Sequence, residues 1–129
     1  MLDQYKLVAF LAVRNADTAR AFYRDKLGLR MLSEDRFALV FDVNGTMLRV
    51  VPVGEIPSVR WTVLGWEVPD IAAAARQLEA GGVTLERYDW LKPEEKETGI
   101  WNAPGGDKVA WFKDPDGNTL SISQHVGRA

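Results

Sequence analysis

Polar and apolar positions along the chain repeatedly take the spacing of a β-strand and, twice, that of a helix. Thr119–Ser123 alternates polar and apolar residues, as a strand with one buried face does. Before it come the apolar run Val109–Phe112 and the turn sequence Asp114–Asn118, whose proline and glycine suit the backbone angles of a tight turn. The stretch from 109 to 123 therefore predicts a β-hairpin.

The first half of the chain predicts a strand, a helix and three more strands. The helix begins at the N-cap Asn15, carries its apolar residues on one face and ends at Gly28. Asn44-Gly45 is a hairpin turn between the last two strands. The predicted strands are Leu7–Val13, Arg30–Leu32, Phe37–Phe41 and Thr46–Val51.

The second half predicts the same order of elements. Pro69 and Asp70 open a helix over Ile71–Ala80, and two glycines end it. Leu91–Thr98 is predicted to be a charged, solvated loop. The predicted strands are Trp61–Val68, Val83–Arg87 and the two strands of the hairpin.

An internal repeat relates the two halves. Sliding the sequence along itself places Asn15 on Asp70 in one register and Gly45 on Gly117 in a second. The chain is therefore predicted to be one α+β domain over 1–129 with two βαβββ modules, about 5–53 and about 61–125, and a linker at about 52–60. Side by side, the modules would form a curved, mixed, mostly antiparallel sheet. Its concave face is the default place for a ligand.

Composition narrows the possible functions. The chain has 129 residues, a formal net charge of −2 and interspersed charges, which argues against a nucleic-acid or membrane surface as partner. It has no cysteine, which excludes disulfides, thiolate metal sites and cysteine nucleophiles. No apolar run has the length of a membrane span, and the start lacks the features of a signal peptide. A cytoplasmic protein is expected.

Three stretches carry a resemblance to a known family: Ala21–Leu29, Trp66–Ile71 and Phe112–Asn118. With the paired order of elements, they make the chain resemble the vicinal oxygen chelate superfamily over nearly its whole length. That superfamily contains glyoxalase I, extradiol dioxygenases, fosfomycin-resistance proteins and bleomycin-binding proteins. The resemblance implies the glyoxalase/bleomycin resistance-like fold, but it leaves the chemistry open because this scaffold serves several reactions.

In metal-dependent members of the superfamily, histidines on the first strands and glutamates on the last strands hold a divalent ion. The resemblance places Val8, Arg49, Val63 and Ser121 at these positions. Valine and serine are poor donors, and arginine brings a positive charge to where a cation should lie. We therefore expect no metal and no other cofactor. The single histidine, His125, follows the last strand and is interpreted as a solvated tail residue.

The same alignment predicts an apolar, aromatic cleft with one guanidinium and a few hydroxyls, which suits a planar or partly anionic organic ligand. Core packing for the tryptophans, and a salt bridge from Arg49 to Glu67 or Asp42, are the structural alternatives. The loop from Tyr88 to Ala103 is either a lid or a solvated loop. The candidate ligand-binding residues are Phe10, Met47, Arg49, Trp61, Trp90, Trp101, Ser121 and Ser123.

Three functions remain open. The first is a metal-independent protein that binds a small aromatic or hydrophobic compound. The second is a lyase, isomerase or dioxygenase with an atypical or metal-free site, for which no catalytic residue is assigned. The third is a structural or regulatory protein with a vestigial cleft. A homodimer is expected, because an exposed sheet edge is a liability that a second copy can cover.

Overall fold

The structure is a computed structural model that describes residues 1–57 and 59–127. The chain folds as two compact units that meet in sequence between residues 58 and 59. Ser58, part of the predicted linker, lies outside the described residues, as do the last two residues of the predicted domain. Each unit is built on one four-stranded sheet.

The first unit has the strand order β1-β4-β3-β2. The pair β1 and β4 is parallel and the other two pairs are antiparallel. After the helix α1 the chain continues in a π-helical segment, Ala21–Lys26. The elements are a short 3₁₀ turn (Leu2–Gln4), β1 (Val8–Val13), α1 (Ala16–Arg20), β2 (Arg30–Glu34), β3 (Leu39–Val43) and β4 (Thr46–Pro52).

Local chemistry explains where these elements begin and end. The side chain of Asn15 accepts a hydrogen bond from the backbone N–H of Thr18 at 2.9 Å, as an N-cap should. Asn44 and Gly45 have φ angles of 48° and 92°, which a two-residue turn matching the strand twist requires. The predicted N-cap at Asn15 and the predicted hairpin turn at Asn44-Gly45 are both confirmed. The predicted strand Phe37–Phe41 instead lies at β3, two residues further along.

The second unit has the strand order β5-β8-β7-β6, again with the first and last strands parallel. Asp70 caps its long helix by accepting a hydrogen bond from the N–H of Ala73 at 3.1 Å. The elements are β5 (Thr62–Glu67), α2 (Ile71–Ala80), α3 (Pro93–Thr98), β6 (Trp101–Asn102), β7 (Lys108–Lys113) and β8 (Thr119–Gln124).

The predicted hairpin is confirmed as β7 and β8. Its turn is organised by the buried Asp114, whose Oδ1 accepts the backbone N–H groups of Asp116 and Asn118, both at 2.9 Å. The side-chain amide of Asn118 donates to the other carboxylate oxygen at 2.8 Å. Gly117 adopts a φ of 85°, which glycine accepts without a steric cost. Hydrogen bonds within the segment Asp114–Asn118 therefore stabilise the turn.

Two predicted elements of the second unit are wrong. Val83–Arg87 is not a strand, because Leu85 alone forms a bridge, with Phe112. The strand that completes the sheet is β6, further along the chain. The predicted charged loop at Leu91–Thr98 contains the helix α3, whose Glu95 is buried and hydrogen-bonded rather than solvated.

The two sheets share one topology, with the first strand next to the last, then the third and the second. This matches the α+β fold class predicted from the repeated order of elements, although the second unit carries an additional helix. One face of each sheet packs against its helix. The fully buried residues of these cores include Val13, Tyr23, Leu39, Phe41, Leu48, Val50, Ile71, Leu85, Phe112 and Leu120.

Candidate functional site

The face of each sheet that is not covered by its own helix is the candidate site. Side chains alternate between the two faces of a strand, and burial in β1 follows this rule. Leu11 and Val13 are buried, whereas Phe10 is 68% exposed. We call the less buried side the open face. In the first unit it carries Val8, Phe10, Val40, Met47 and Arg49.

Strand register places the candidate residues of the first unit together. Phe10 pairs with Arg49 across the parallel β1 and β4, and Arg49 pairs with Val40 of β3. Met47 lies two residues before Arg49, so it shares the open face and pairs with Val8. The unit therefore presents a cation flanked by apolar side chains.

Arg49 makes no hydrogen bond or ion pair within the residues that the structure describes. Asp42, one of its two predicted partners, instead lies 3.8 Å from Arg30. The pKa of Asp35 is lowered mainly by the backbone N–H groups of Phe37 and Ala38, and the charge of Arg49 adds a smaller contribution. The side chain of Arg49 is half-buried.

The open face of the second unit carries two rows of paired residues. Ser121 of β8 pairs with Gly65 of β5 and with Trp111 of β7. Ser123 is paired with Val109, which pairs in turn with Trp101 of β6. The two predicted serines therefore lie on the same face as Trp101.

Four aromatic rings form a cluster on this face, which we call the aromatic cluster: Tyr88, Trp90, Trp101 and Trp111. Trp90 stacks on Tyr88 with ring centroids 5.6 Å apart and an interplanar angle of 8°, and it meets Trp101 and Trp111 edge to face at 5.9 Å. Burial raises the pKa of the Tyr88 hydroxyl, with a smaller effect of Glu86. Trp90 nevertheless remains 59% exposed.

Two polar contacts fix the surroundings of the aromatic cluster. The indole N–H of Trp111 donates to the hydroxyl of Thr62 at 3.1 Å, which orients that ring. At Gly65, an added Cβ would lie 2.5 Å from the Oγ of Ser121. A side chain at position 65 would force that hydroxyl to rotate away, so the glycine leaves room for it.

His125 follows β8 and is exposed, as predicted for a solvated tail residue, and it also makes two side-chain contacts. Its Nε2 lies 2.9 Å from the Oγ of Ser123, and its Nδ1 lies 3.0 Å from Oδ2 of Asp107. The other carboxylate oxygen of Asp107 accepts the backbone N–H of Val126 at 2.9 Å. The Val126 N–H, and secondly His125, lower the pKa of Asp107.

The predicted site residues thus fall into two groups. Phe10, Met47 and Arg49 lie on the open face of the first unit, and Trp90, Trp101, Ser121 and Ser123 belong to the second. Trp61 precedes β5 and is 65% exposed. A register shift between Thr62 and Leu64 means that alternation along β5 cannot be extended back to it.

Sequence reasoning missed Asp107, and it did not include Tyr88 or Trp111 among the candidate ligand-binding residues. The nearest signal for Asp107 was the spacing of Ser123 and His125, two residues apart and hence on one side of an extended chain. Asp107, whose carboxylate contacts His125, lies 18 residues from it in the sequence. Only the pairing of β7 with β8 brings it there.

The resemblance assigns Val8, Arg49, Val63 and Ser121 to the positions that hold a divalent ion in metal-dependent members of the superfamily, and this assignment remains a prediction. Val8 and Val63 have no donor atom, Arg49 is a permanent cation and Ser121 has a neutral hydroxyl. Within the described residues, no three or more His, Cys, Asp or Glu side chains come together as metal ligands.

Comparison with known proteins places this fold in a family. The sequence model of the Glyoxalase/Bleomycin resistance protein/Dioxygenase superfamily matches residues 3–122, so the chain belongs to that superfamily. This confirms the resemblance found in the sequence. No curated protein matches the chain. Among the described residues, no helix is long and apolar enough to cross a membrane.

Solved structures share the fold at low sequence identity. A lactoylglutathione lyase from Agrobacterium tumefaciens has a TM-score of 0.72 and 19% identity, covering 97% of this chain and 98% of its own. The fosfomycin resistance protein FosX from Listeria monocytogenes has a TM-score of 0.71 and 12% identity, with 95% and 94% coverage. A glyoxalase/bleomycin resistance protein/dioxygenase from Nocardioides has a TM-score of 0.73 and 18% identity, with 97% and 85% coverage. At these identities the likeness establishes the fold alone.

Proposed function

We propose that this chain binds a planar aromatic compound on the open face of its second unit, without a metal ion. The observation that carries the proposal is the aromatic cluster, in which Trp90 contacts three other rings yet stays largely exposed. Rings held by neighbouring rings lose little conformational freedom when a ligand stacks on them. Each aromatic contact with a ligand would contribute about 0.5–1.5 kcal/mol beyond the burial of apolar area.

Trp90 is not the residue that packs the segment around α3 onto the second unit. Leu91 and Ile100, on either side of α3, are buried and anchor that segment. Val83 and Leu85 are buried in the stretch before it. The aliphatic residues therefore supply the packing, and Trp90 is left with an exposed aromatic surface of the kind that binding sites use.

Polar groups beside the aromatic cluster suit a ligand with a polar edge. Ser121 shares the open face with Trp111, and Gly65 leaves its hydroxyl room. A hydroxyl can both donate and accept, so it would orient a phenol, a carboxylate or a ring nitrogen. Ligand sites commonly combine apolar walls with a few such groups.

The first unit supplies a second surface of related chemistry. Arg49 has no hydrogen-bonding partner among the described residues and lies beside Phe10 and Met47. A guanidinium flanked by apolar side chains suits the carboxylate or phosphate of an organic anion. We propose that Arg49 contacts an anionic group of a ligand on the first unit. On the second unit, we propose that Trp61, exposed before β5, contacts an aromatic ring of a ligand.

The alternative is a lyase, isomerase or dioxygenase with an atypical or metal-free site. The superfamily includes enzymes, and one similar fold is that of a lactoylglutathione lyase. Of the four residues assigned to the usual metal-ligand positions, two are valines and one is an arginine. These side chains disfavour metal-assisted chemistry there. Binding of an aromatic compound, in contrast, requires only aromatic and polar side chains, and the open faces carry both.

A fluorescence screen tests the binding proposal. Purified chain is titrated with aromatic and anionic compounds, and quenching of tryptophan emission reports contact with the aromatic cluster. Trp90→Ala and Trp101→Ala are expected to weaken a hit by about tenfold or more. Trp66→Phe is the matched control, because Trp66 stacks on Phe112 on the core side of the sheet. The proposal fails if no compound quenches, or if hits bind all variants equally.

Two further assignments complete the proposal. We propose a cytoplasmic location, since a chain without cysteine gains nothing from an oxidising compartment. We also propose a homodimer in which a second copy covers a sheet edge. The outer strands available for this are β1 and β2 in the first sheet, and β5 and β6 in the second.

A further inference from the structure

A chain of hydrogen bonds links a hydroxyl, an imidazole and a carboxylate at one end of the hairpin. Ser123 lies in β8, His125 follows the end of that strand, and Asp107 comes just before β7. The Oγ of Ser123 lies 2.9 Å from Nε2 of His125, and Nδ1 of His125 lies 3.0 Å from Oδ2 of Asp107. Each ring nitrogen therefore has one partner, on opposite sides of the imidazole.

The charge on Asp107 decides where the protons lie. Its lowered pKa keeps the carboxylate ionised at neutral pH, so both of its oxygens are acceptors. Nδ1 of the neutral imidazole must then carry the proton and donate it to Asp107. Nε2 is left as an acceptor, and the hydroxyl of Ser123 donates to it. This is the arrangement in which a histidine can take the proton of an attacking hydroxyl.

We propose that Ser123 is a nucleophile toward activated acyl compounds, with His125 as its general base and Asp107 as a positioning residue. The Oγ of Ser123 forms a bond to the acyl carbon while its proton passes to Nε2 of His125. The bond from that carbon to the leaving group then breaks, and the leaving group takes the proton from Nε2. A water that gives a proton to His125 hydrolyses the acyl-serine, which releases the acid and restores the hydroxyl.

Exposure and available groups define the class of substrate. The side chains of His125 and Asp107 are 36% and 39% exposed, and Ser123 is half-buried, so a small electrophile can reach the hydroxyl. The three residues supply a nucleophile and a base but no donor for a developing oxyanion. The reaction is therefore restricted to acyl groups with a good leaving group, such as aryl esters, and does not extend to amides or alkyl esters.

This inference does not depend on binding at the aromatic cluster. Val109 of β7 separates Ser123 from Trp101 in the register of the sheet. Two strand spacings correspond to about 10 Å between the backbones of these residues. A small acetyl ester can react at Ser123 whether or not an aromatic ligand occupies the cluster, so the two ideas fail independently.

Acylation by p-nitrophenyl acetate tests the proposal. The release of nitrophenolate is followed together with the intact mass of the protein, and the modified residue is located by peptide mapping. In samples quenched with acid before the acyl-serine hydrolyses, we expect one acetyl group per chain on Ser123. Ser123→Ala should abolish this label, and His125→Gln should slow its formation at least about tenfold. Ser33→Ala, which removes an exposed hydroxyl of β2, is the matched control and should react like the parent.

Asp107 needs a measurement that separates positioning from folding. Asp107→Asn should slow acylation, and Asp107→Glu should recover part of the rate, while circular dichroism and thermal unfolding show that both variants fold. The proposal is overturned if the parent chain is not acylated on Ser123, or if the label is found only on lysines or the N-terminus. It is also overturned if His125→Gln, folded, reacts as fast as the parent.

Discussion

The carboxylate of Glu95 accepts two hydrogen bonds from Asn102, one from the backbone N–H at 2.9 Å and one from the side-chain amide at 3.2 Å. Its other oxygen accepts the backbone N–H of Lys92 at 3.0 Å. One buried side chain thus joins the start of α3 to the strand β6, which carries Trp101. The position of that indole in the aromatic cluster depends on this contact.

This contact should make stability depend on pH. The backbone N–H of Lys92, then that of Asn102, lowers the pKa of Glu95 in the folded chain. A depressed folded pKa adds stability that is present above the unfolded pKa and lost as the pH falls through the folded value. Glu95→Gln should therefore lower the urea midpoint at pH 7, and the advantage of the parent should disappear toward pH 3.

The control for that measurement is Glu94→Gln, one residue earlier on the exposed side of the same helix. Its urea midpoint should follow the parent at every pH. A gap between parent and Glu95→Gln that stays constant from pH 7 to pH 3 would show that the carboxylate charge is not what stabilises the contact.

The two helix caps should contribute similar amounts of stability. Asn15 and Asp70 occupy equivalent positions of the repeat and each accepts one backbone N–H of the first helical turn. Replacing either by alanine should lower the free energy of unfolding by about 1 kcal/mol, measured by urea titration. Arg76→Ala, at an exposed position of α2, serves as control. Losses of less than a few tenths would contradict the assignment.

Arg49 and Trp61 should affect binding more than stability. Arg49 has no hydrogen bond to lose among the described residues, and Trp61 is largely exposed. Arg49→Ala should weaken an anionic hit that binds the first unit, and Trp61→Ala should weaken an aromatic hit that binds the second, each by about tenfold, measured by calorimetry, with little change in thermal unfolding. Arg49→Lys should restore only part of the affinity because it loses the bidentate geometry. A substitution that leaves the affinity unchanged would remove that residue from its proposed surface.

The metal content of the purified chain tests the prediction that it binds no metal ion. The chain purified without a tag should contain no stoichiometric zinc, nickel, iron or manganese by elemental analysis, since the residues that the resemblance assigns to the usual ligand positions are poor donors. Added divalent ions should leave its thermal midpoint unchanged. About one equivalent of a bound metal, or a saturable rise in the midpoint, would favour the enzymatic alternative.

The assembly state is open to direct measurement. Sedimentation at micromolar concentration should give the mass of two chains if a second copy covers a sheet edge. Charged substitutions on an outer strand, such as Val8→Lys in β1, should then shift the equilibrium toward the monomer. A parent chain that sediments only as a monomer would refute the dimer.

Local signals in the sequence were sufficient for much of the fold. Asn44, Asp70 and Gly117 act through their own backbone geometry, so their roles could be predicted without knowing the rest of the molecule. Val83 and Leu85 misled the prediction because both are buried, although the segment pairs only through a single bridge from Leu85 to Phe112. Periodicity of two does not distinguish these cases.

The faces on which the candidate residues lie could be predicted only where strand alternation applies. Phe10 shares a face with Arg49 because both lie in regular, paired strands. The register shift after Thr62 defeats the same argument for Trp61. Asp107 and His125 come together because β7 pairs with β8. A local sequence pattern does not predict a contact between residues that lie 18 positions apart.

The parallel pairing of first and last strands determines when each unit can be completed during synthesis. Val8 pairs with Met47, and Leu64 pairs with Leu120 across a longer stretch of chain. The longer separation adds only about 0.3 kcal/mol of loop-closure entropy. The order in which the chain leaves the ribosome therefore matters more: the first sheet has all its strands once Pro52 has emerged, while the second must wait for Gln124.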